Sequence, residues 1–203
     1  MAGRPSKADI QRQRVLSASV EIFSRRGYRA TSMNEIAAEV GLSKPSLYHY
    51  FRSKEDILVR LYENVMEESL SSARAISGSA PSPLDALREL ISHRVRYTCD
   101  NKAILKVFFE EEEELPAELL RTVIQRRREF ENILKTAVVQ HLKVTGGTLP
   151  TSPTVYVNVC LGAANWVYKW FDPKGDEDPQ ALGDHIAALV LQPLLNPAPA
   201  TGP

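Results

Sequence analysis

Residues 28–58 read YRATSMNEIAAEVGLSKPSLYHYFRSKEDIL, and this stretch decides the fold. Ser32 opens Ser-Met-Asn-Glu, an S-x-x-E capping box in which the Glu35 carboxylate reaches back to the cap. Met33, Ile36, Ala37 and Val40 then recur at helical spacing as far as Gly41. Ser43 is a second cap. Pro45 is tolerated in the turn that follows, because the N–H it lacks would have no intrahelical partner there. Ser53, with Asp56 at the box position, opens a long helix through Ile57, Leu58, Leu61, Tyr62, Val65, Met66 and Leu70. Two short helices joined by Val40-Gly41-Leu42-Ser43, where Gly41 supplies a positive φ, have the size and turn of a helix-turn-helix.

Outward from this stretch the pattern stays helical. Upstream, residues 1–8 are expected to form a basic arm, and Ile10–Arg26 a first helix that stops at Gly27. Downstream, Ser77-Gly-Ser-Ala-Pro-Ser-Pro is expected as a loop. Helices follow over Leu84–Thr98, Ala103–Glu114, Ala117–Val144, Pro153–Phe171 and Pro179–Leu195. No strand alternation and no internal repeat is found. The expectation is an all-α chain of about nine helices: a three-helix helix-turn-helix domain over 1–54, a helical bundle over 55–195, and a Pro-rich disordered tail over 196–203.

The chain has 203 residues and no net charge, which by itself argues against a polyanion-binding protein. The charge is uneven, however. Residues 1–54 hold ten Lys or Arg against four acids, a net +6, and the rest of the chain carries −6. A basic head on an acidic body points to two parts with different partners. Cys99 and Cys160 are too few for a disulfide framework and lie in apolar helical contexts. The N-terminus lacks the apolar core of a signal peptide, and no apolar run reaches membrane-spanning length, so a cytoplasmic location without membrane contact is expected.

In the basic head, the second short helix presents Lys44, Ser46, Tyr48, His49 and Tyr50 within about two turns, the residue types that reach base edges and phosphates from a major-groove helix. Thr31, Ser32 and Lys54 sit at helix starts suited to phosphate oxygens. With these residues in view, the stretch Tyr28–Leu58 resembles the signature of the TetR family of bacterial transcriptional regulators, specifically over residues 10–60 and in helix count and lengths over the whole chain. Pro45 stands where many members have Gly. The resemblance implies a homodimer reading a palindromic operator in double-stranded DNA, with a small effector bound in the C-terminal domain. Carried over residue by residue, it assigns DNA contacts to Thr31, Ser32, Ser43, Lys44, Ser46, Tyr48, His49, Tyr50 and Lys54, with Tyr48 and Phe51 partly core.

In the body, an apolar effector site is expected among Tyr62, Met66, Tyr97, Phe108, Phe109, Asn165, Trp166 and Trp170, core packing being the alternative for each aromatic. The run Glu110–Glu114 circles a helix and cannot converge on one ion. It is expected as a solvated helix end whose charge turns the body away from DNA. Of Arg126-Arg127-Arg128, one is expected inward and another paired with Glu110–Glu114 or Glu129; Arg127 is the candidate cation for an anionic ligand. The segments Phe109–Leu134 and Leu161–Gly175 resemble the branch of the family that contains acyl-CoA-released repressors of fatty-acid and sterol catabolism. That resemblance implies an acyl-CoA effector, with a neutral hydrophobic drug or aromatic compound as the alternative. The dimer is expected through the last two helices, by Val155, Val159, Gly162 and Ala163 on one and Ile186, Leu189, Val190 and Leu194 on the other. No cofactor, metal site or catalytic residue is expected. The competing classes are a helical-bundle enzyme using Glu110–Glu114 with His141 or His185, and a protein-interaction module without DNA binding.

Overall fold

The computed structural model describes residues 6–195; the tail expected over 196–203 and most of the expected basic arm lie outside them. The described residues form ten α-helices: α1 (Lys7–Arg26), α2 (Met33–Glu39), α3 (Lys44–Tyr50), α4 (Lys54–Ser79), α5 (Pro83–Asp100), α6 (Lys102–Glu110), α7 (Ala117–Thr145), α8 (Pro153–Trp170), α9 (Pro179–Val190) and α10 (Gln192–Leu195). A 3-10 turn, Glu112–Glu114, separates α6 from α7. There is no strand among the described residues.

Four boundaries differ from the sequence reading, each for a local reason. The first helix begins at Lys7 because Ser6 and Asp9 form a capping box, so the last two residues of the expected arm are helical. α4 continues through Ser77-Gly78-Ser79 and ends before Pro81, whose ring disfavours helical geometry in the residue ahead of it. The acidic run does not prolong α6, which ends at Glu110. The last expected helix divides at Leu191, since Pro193 has no N–H to offer the Leu189 carbonyl.

The chain forms two compact units. Unit 1 comprises residues up to Val65 together with Ala103–Val123. Its buried side chains include Val15, Phe23, Ile36, Leu47, Ile57 and Leu105, which are the inward positions of the amphipathic helices. Unit 2 comprises Met66–Lys102 and Ile124 onward. Leu87, Ile91, Leu134, Val138, Val157 and Leu191 form the centre of its larger core, and Val95, Ala164, Val167 and Leu182 form a second cluster.

Within unit 2, α5 packs along α9 closely enough that Gly183 has no room for a side chain. A Cβ there would lie 2.7 Å from the Ser92 carbonyl oxygen and 2.9 Å from its hydroxyl. The same crossing is tied by Ser92 Oγ donating to Asp184 Oδ1 at 2.7 Å. Gly183→Ala is therefore expected to force α5 and α9 apart at a cost of about 1–3 kcal/mol, read as a fall in denaturant midpoint. An unchanged midpoint would show that the crossing yields freely.

Candidate nucleic-acid interface and effector cleft

In unit 1, α3 is held by one fully buried residue, Leu47, and by its cap. Ser43 Oγ accepts the Ser46 N–H at 3.3 Å and lies 2.7 Å from the Ser46 hydroxyl. Gly41, at φ +67°, makes the turn into it. Burying Leu47 leaves the opposite face outward: Ser43, Lys44, Tyr48 and His49 are exposed, with Ser46 and Tyr50 half-buried. The His49 and Tyr50 rings meet edge to face at 5.4 Å. Ser32 is also exposed and caps α2, accepting the Glu35 N–H while Glu35 accepts from the Ser32 N–H at 2.8 Å. Six of the nine expected DNA-facing residues thus lie on or beside one helix, and Ser32 opens the helix before it.

The remaining two are turned into the protein. Thr31 is only 3% exposed, and its hydroxyl donates to the Gly27 carbonyl at 2.9 Å. The Lys54 ammonium donates to the carbonyls of Tyr28 at 2.6 Å and Thr31 at 2.7 Å, with Arg29 O at 3.4 Å, and sits 4.2 Å from the centre of the Tyr28 ring. Burial lowers its pKa, against the pull of Glu114 and Glu111. Position at a helix start suggests phosphate binding; the tertiary turn supplies nearer acceptors.

The acidic run is likewise engaged rather than simply solvated. Glu111 Oε1 accepts the Tyr28 N–H at 2.8 Å, and Glu114 pairs with the Arg29 Nε at 2.5 Å. Lys106 reaches the Ser24 carbonyl at 2.6 Å. The α1–α2 turn is thus gripped by Lys54 on its carbonyls and by two carboxylates on its donors.

In unit 2, a narrow cleft with an open volume of only about 10 Å³, room for about one water, is lined by Ser69, Ile76, His93, Arg94, Tyr97 and Phe130 among others. Its charged wall is Arg94, a buried residue the sequence reading missed. Arg94 Nε donates to Asn165 Oδ1 at 2.7 Å and a terminal nitrogen to Ser69 Oγ at 3.1 Å; the guanidinium lies 5.9 and 5.7 Å from the Tyr97 and Phe130 rings. Burial pulls its pKa down to about 10, with Tyr97 opposing and Arg127 adding to the fall, which leaves it a cation at neutral pH. His93 stacks on Tyr97, and burial also lowers its pKa. The signal was present in the sequence: Leu87, Ile91, Arg94 and Thr98 fall on one helical stripe, with an arginine at an inward position.

The expected ligand residues separate into groups. Tyr97 and Asn165 gather on Arg94, and half-buried Arg127 acts on it electrostatically. Met66 is buried in unit 2. Tyr62, Phe108 and Phe109 instead pack together in unit 1, with ring centres 4.7 and 5.3 Å apart and the Tyr62 hydroxyl donating to the Phe108 carbonyl at 2.8 Å. Trp166 and Trp170 do not line the cleft: they are 59% and 51% exposed on the outer face of α8. Arg126 pairs with Glu67, and Glu129 with Arg74.

That outer face is a continuous apolar stripe of Val155, Val159, Gly162, Trp166 and Trp170, with Ala163 half-buried beside it. On α9, Leu189 is 71% exposed, while Ile186 and Val190 are partly buried against the core. Leu194 is in the core, its carbonyl 3.2 Å from His141 Nε2, which removes it from any surface. Among the described residues no group of three metal-ligating side chains converges, and no helix is long and apolar enough to cross a membrane.

Residues 15–61 match the family of bacterial regulatory proteins designated tetR, and residues 80–194 match the tetracyclin repressor-like C-terminal domain. The chain belongs to the TetR family. It is therefore a DNA-binding helix-turn-helix regulator and not an enzyme, which sets aside the reading built on Glu110–Glu114 with His141 or His185. The repressor KstR2 of Mycobacterium tuberculosis is 25% identical over 91% of this chain and 93% of its own. A TetR/AcrR-family regulator from Thermobifida fusca is 31% identical, covering 90% of this chain and 97% of that one, with a TM-score of 0.70. AibR, solved in complex with isovaleryl coenzyme A and operator DNA, is 25% identical over 88% of this chain and 97% of its own, with a TM-score of 0.78.

As a TetR-family regulator, this protein should lose DNA affinity when the outward face of α3 is stripped. Lys44→Ala is expected to lower the slope of log K against log salt by about 0.9 for each phosphate it no longer neutralises. Tyr48→Ala is expected to weaken the selected duplex by about 1–3 kcal/mol while random duplex is bound as before. Wild-type affinity in both variants would move the interface off α3.

Proposed function

We propose that this protein is a repressor that binds a palindromic operator as a homodimer and is released by an acyl-CoA thioester. The observation that carries the reading is the combination of an outward polar α3 in unit 1 and a buried cation in a cleft of unit 2. AibR, a relative of nearly the same span, takes both operator DNA and isovaleryl coenzyme A. DNA is met by Ser43, Lys44, Ser46, Tyr48, His49 and Tyr50, with Ser32 at the start of α2. Two α3 helices must stand about 34–36 Å apart to enter successive major grooves, so a dimer is required.

The dimer forms through the exposed stripe of α8 and the outer side of α9. Exposed tryptophans and valines at four- and three-residue intervals are costly in water and are covered when the stripe meets its symmetry mate, with Gly162 allowing close approach. Val159→Asp should yield a monomer by sedimentation with an intact helical spectrum and loss of operator binding. A dimer of wild-type stability would place the interface elsewhere.

Arg94 favours a thioester or other oxygen-rich effector over a neutral hydrophobic one, because a guanidinium in a low-dielectric cleft bonds strongly to carbonyl and anionic oxygens. Ligand acts only through its differential affinity for the DNA-bound and free conformations, typically 1–3 kcal/mol. The test is binding of a duplex selected from genomic fragments, with and without a panel of acyl-CoA thioesters and neutral aromatics. Thioesters are expected to release the duplex, and Arg94→Met to weaken them by about ten- to a hundredfold. Release by neutral aromatics alone would establish the alternative effector class.

A further inference from the structure

We propose that Lys54 is a positioning residue for DNA binding and not a phosphate ligand. Its ammonium has three N–H donors, and three carbonyl oxygens of one turn surround it: Tyr28 at 2.6 Å, Thr31 at 2.7 Å and Arg29 at 3.4 Å. The face of the Tyr28 ring also lies against it, 4.2 Å from the ring centre. That ring is itself buried edge to face on Phe23 of α1, 5.3 Å between centres. A phosphate could be reached only by giving up these bonds, since the same three N–H groups would have to serve both.

The turn that Lys54 holds has a defined task. It runs from Gly27, at φ +84°, to Thr31, and the next residue, Ser32, is the N-cap of α2. Carbonyls turned toward one point repel one another unless a cation sits between them. Lys54 meets that need from the first turn of α4, and so ties the start of α4 to the start of α2. The two short helices α2 and α3 lie between these tie points in the chain, so the ammonium fixes the two ends of the segment that carries the reading helix to one another. A compact ammonium fits this cradle, and a planar guanidinium does not.

The experiment measures affinity for a selected duplex and for random duplex across a salt series, using the full-length protein and its Lys54→Met and Lys54→Arg variants. Lys54→Met is expected to weaken the selected duplex by about tenfold or more, with an unchanged salt slope and unchanged random-duplex affinity. Lys54→Arg is expected not to restore affinity. A slope reduced by about 0.9, the value for one phosphate, a parallel fall on random duplex, or rescue by arginine would make Lys54 a phosphate ligand and overturn the proposal. Tyr28→Leu keeps the charge and removes the ring beneath it; it should reproduce the weakening at constant slope even if Lys54→Met folds poorly. Selected-duplex affinity that survives in Tyr28→Leu, or in a folded Lys54→Met, would equally overturn it.

Discussion

A seven-residue helix has no stability of its own, because the cost of nucleating the first turn is spread over too few hydrogen bonds. α2 and α3 are both this short, and the organisation of unit 1 follows from that constraint. Each has a serine cap, each buries at least one aliphatic side chain completely or nearly so, and Gly41 turns the chain between them. The turn before α2 is fastened by lysine on its carbonyls and by glutamate on its amide. Helices held from outside in this way can give their remaining surface to recognition, which is why α3 has one inward anchor, Leu47, and several polar side chains facing out.

Unit 2 solves a different problem. Its helices are long enough to persist, and α8 is apolar around most of its circumference. One side, with Tyr156, Val157, Cys160, Ala164 and Val167, belongs to the core; the other exposes valine and tryptophan. In the proposed dimer such a helix is a wall shared by two cores, one within the chain and one that a second copy completes. Arg94 is the exception inside. A buried guanidinium lowers the stability that an aliphatic residue would give, and its hydrogen bonds to Asn165 and Ser69 hold it in a fixed orientation at the cleft.

Much of this is legible in the sequence, and the misplacements share a cause. The caps at Ser32 and Ser43, the positive φ of Gly41 and the outward set on α3 are readable because each depends on residues within four positions. The start of α1 is set on the same terms, by Ser6 and Asp9, although apolar periodicity alone places it three residues later. Lys54, Glu111 and Glu114 are misplaced by a local reading because the fold gives them distant neighbours. Lys54 bonds residues 23 to 26 positions away, and the two glutamates bond residues 83 to 85 positions away. Charge at a helix start or in a run reads as solvent-facing or DNA-facing, and the tertiary turn claims it first.

By itself the sequence determined an all-α chain, the helix-turn-helix with its outward polar face, the asymmetry of charge and the TetR kinship, since periodicity and capping are short-range properties of the chain. Only the tertiary structure decided which polar groups are left for a partner. It buried Thr31, turned the Lys54 ammonium onto backbone carbonyls, moved Trp166 and Trp170 onto the surface, put Leu194 in the core and set Arg94 against the cleft. Helical period specifies which residues share a face, but the buried side is chosen by what packs against it, and an ion goes to whichever acceptors the folded chain brings nearest.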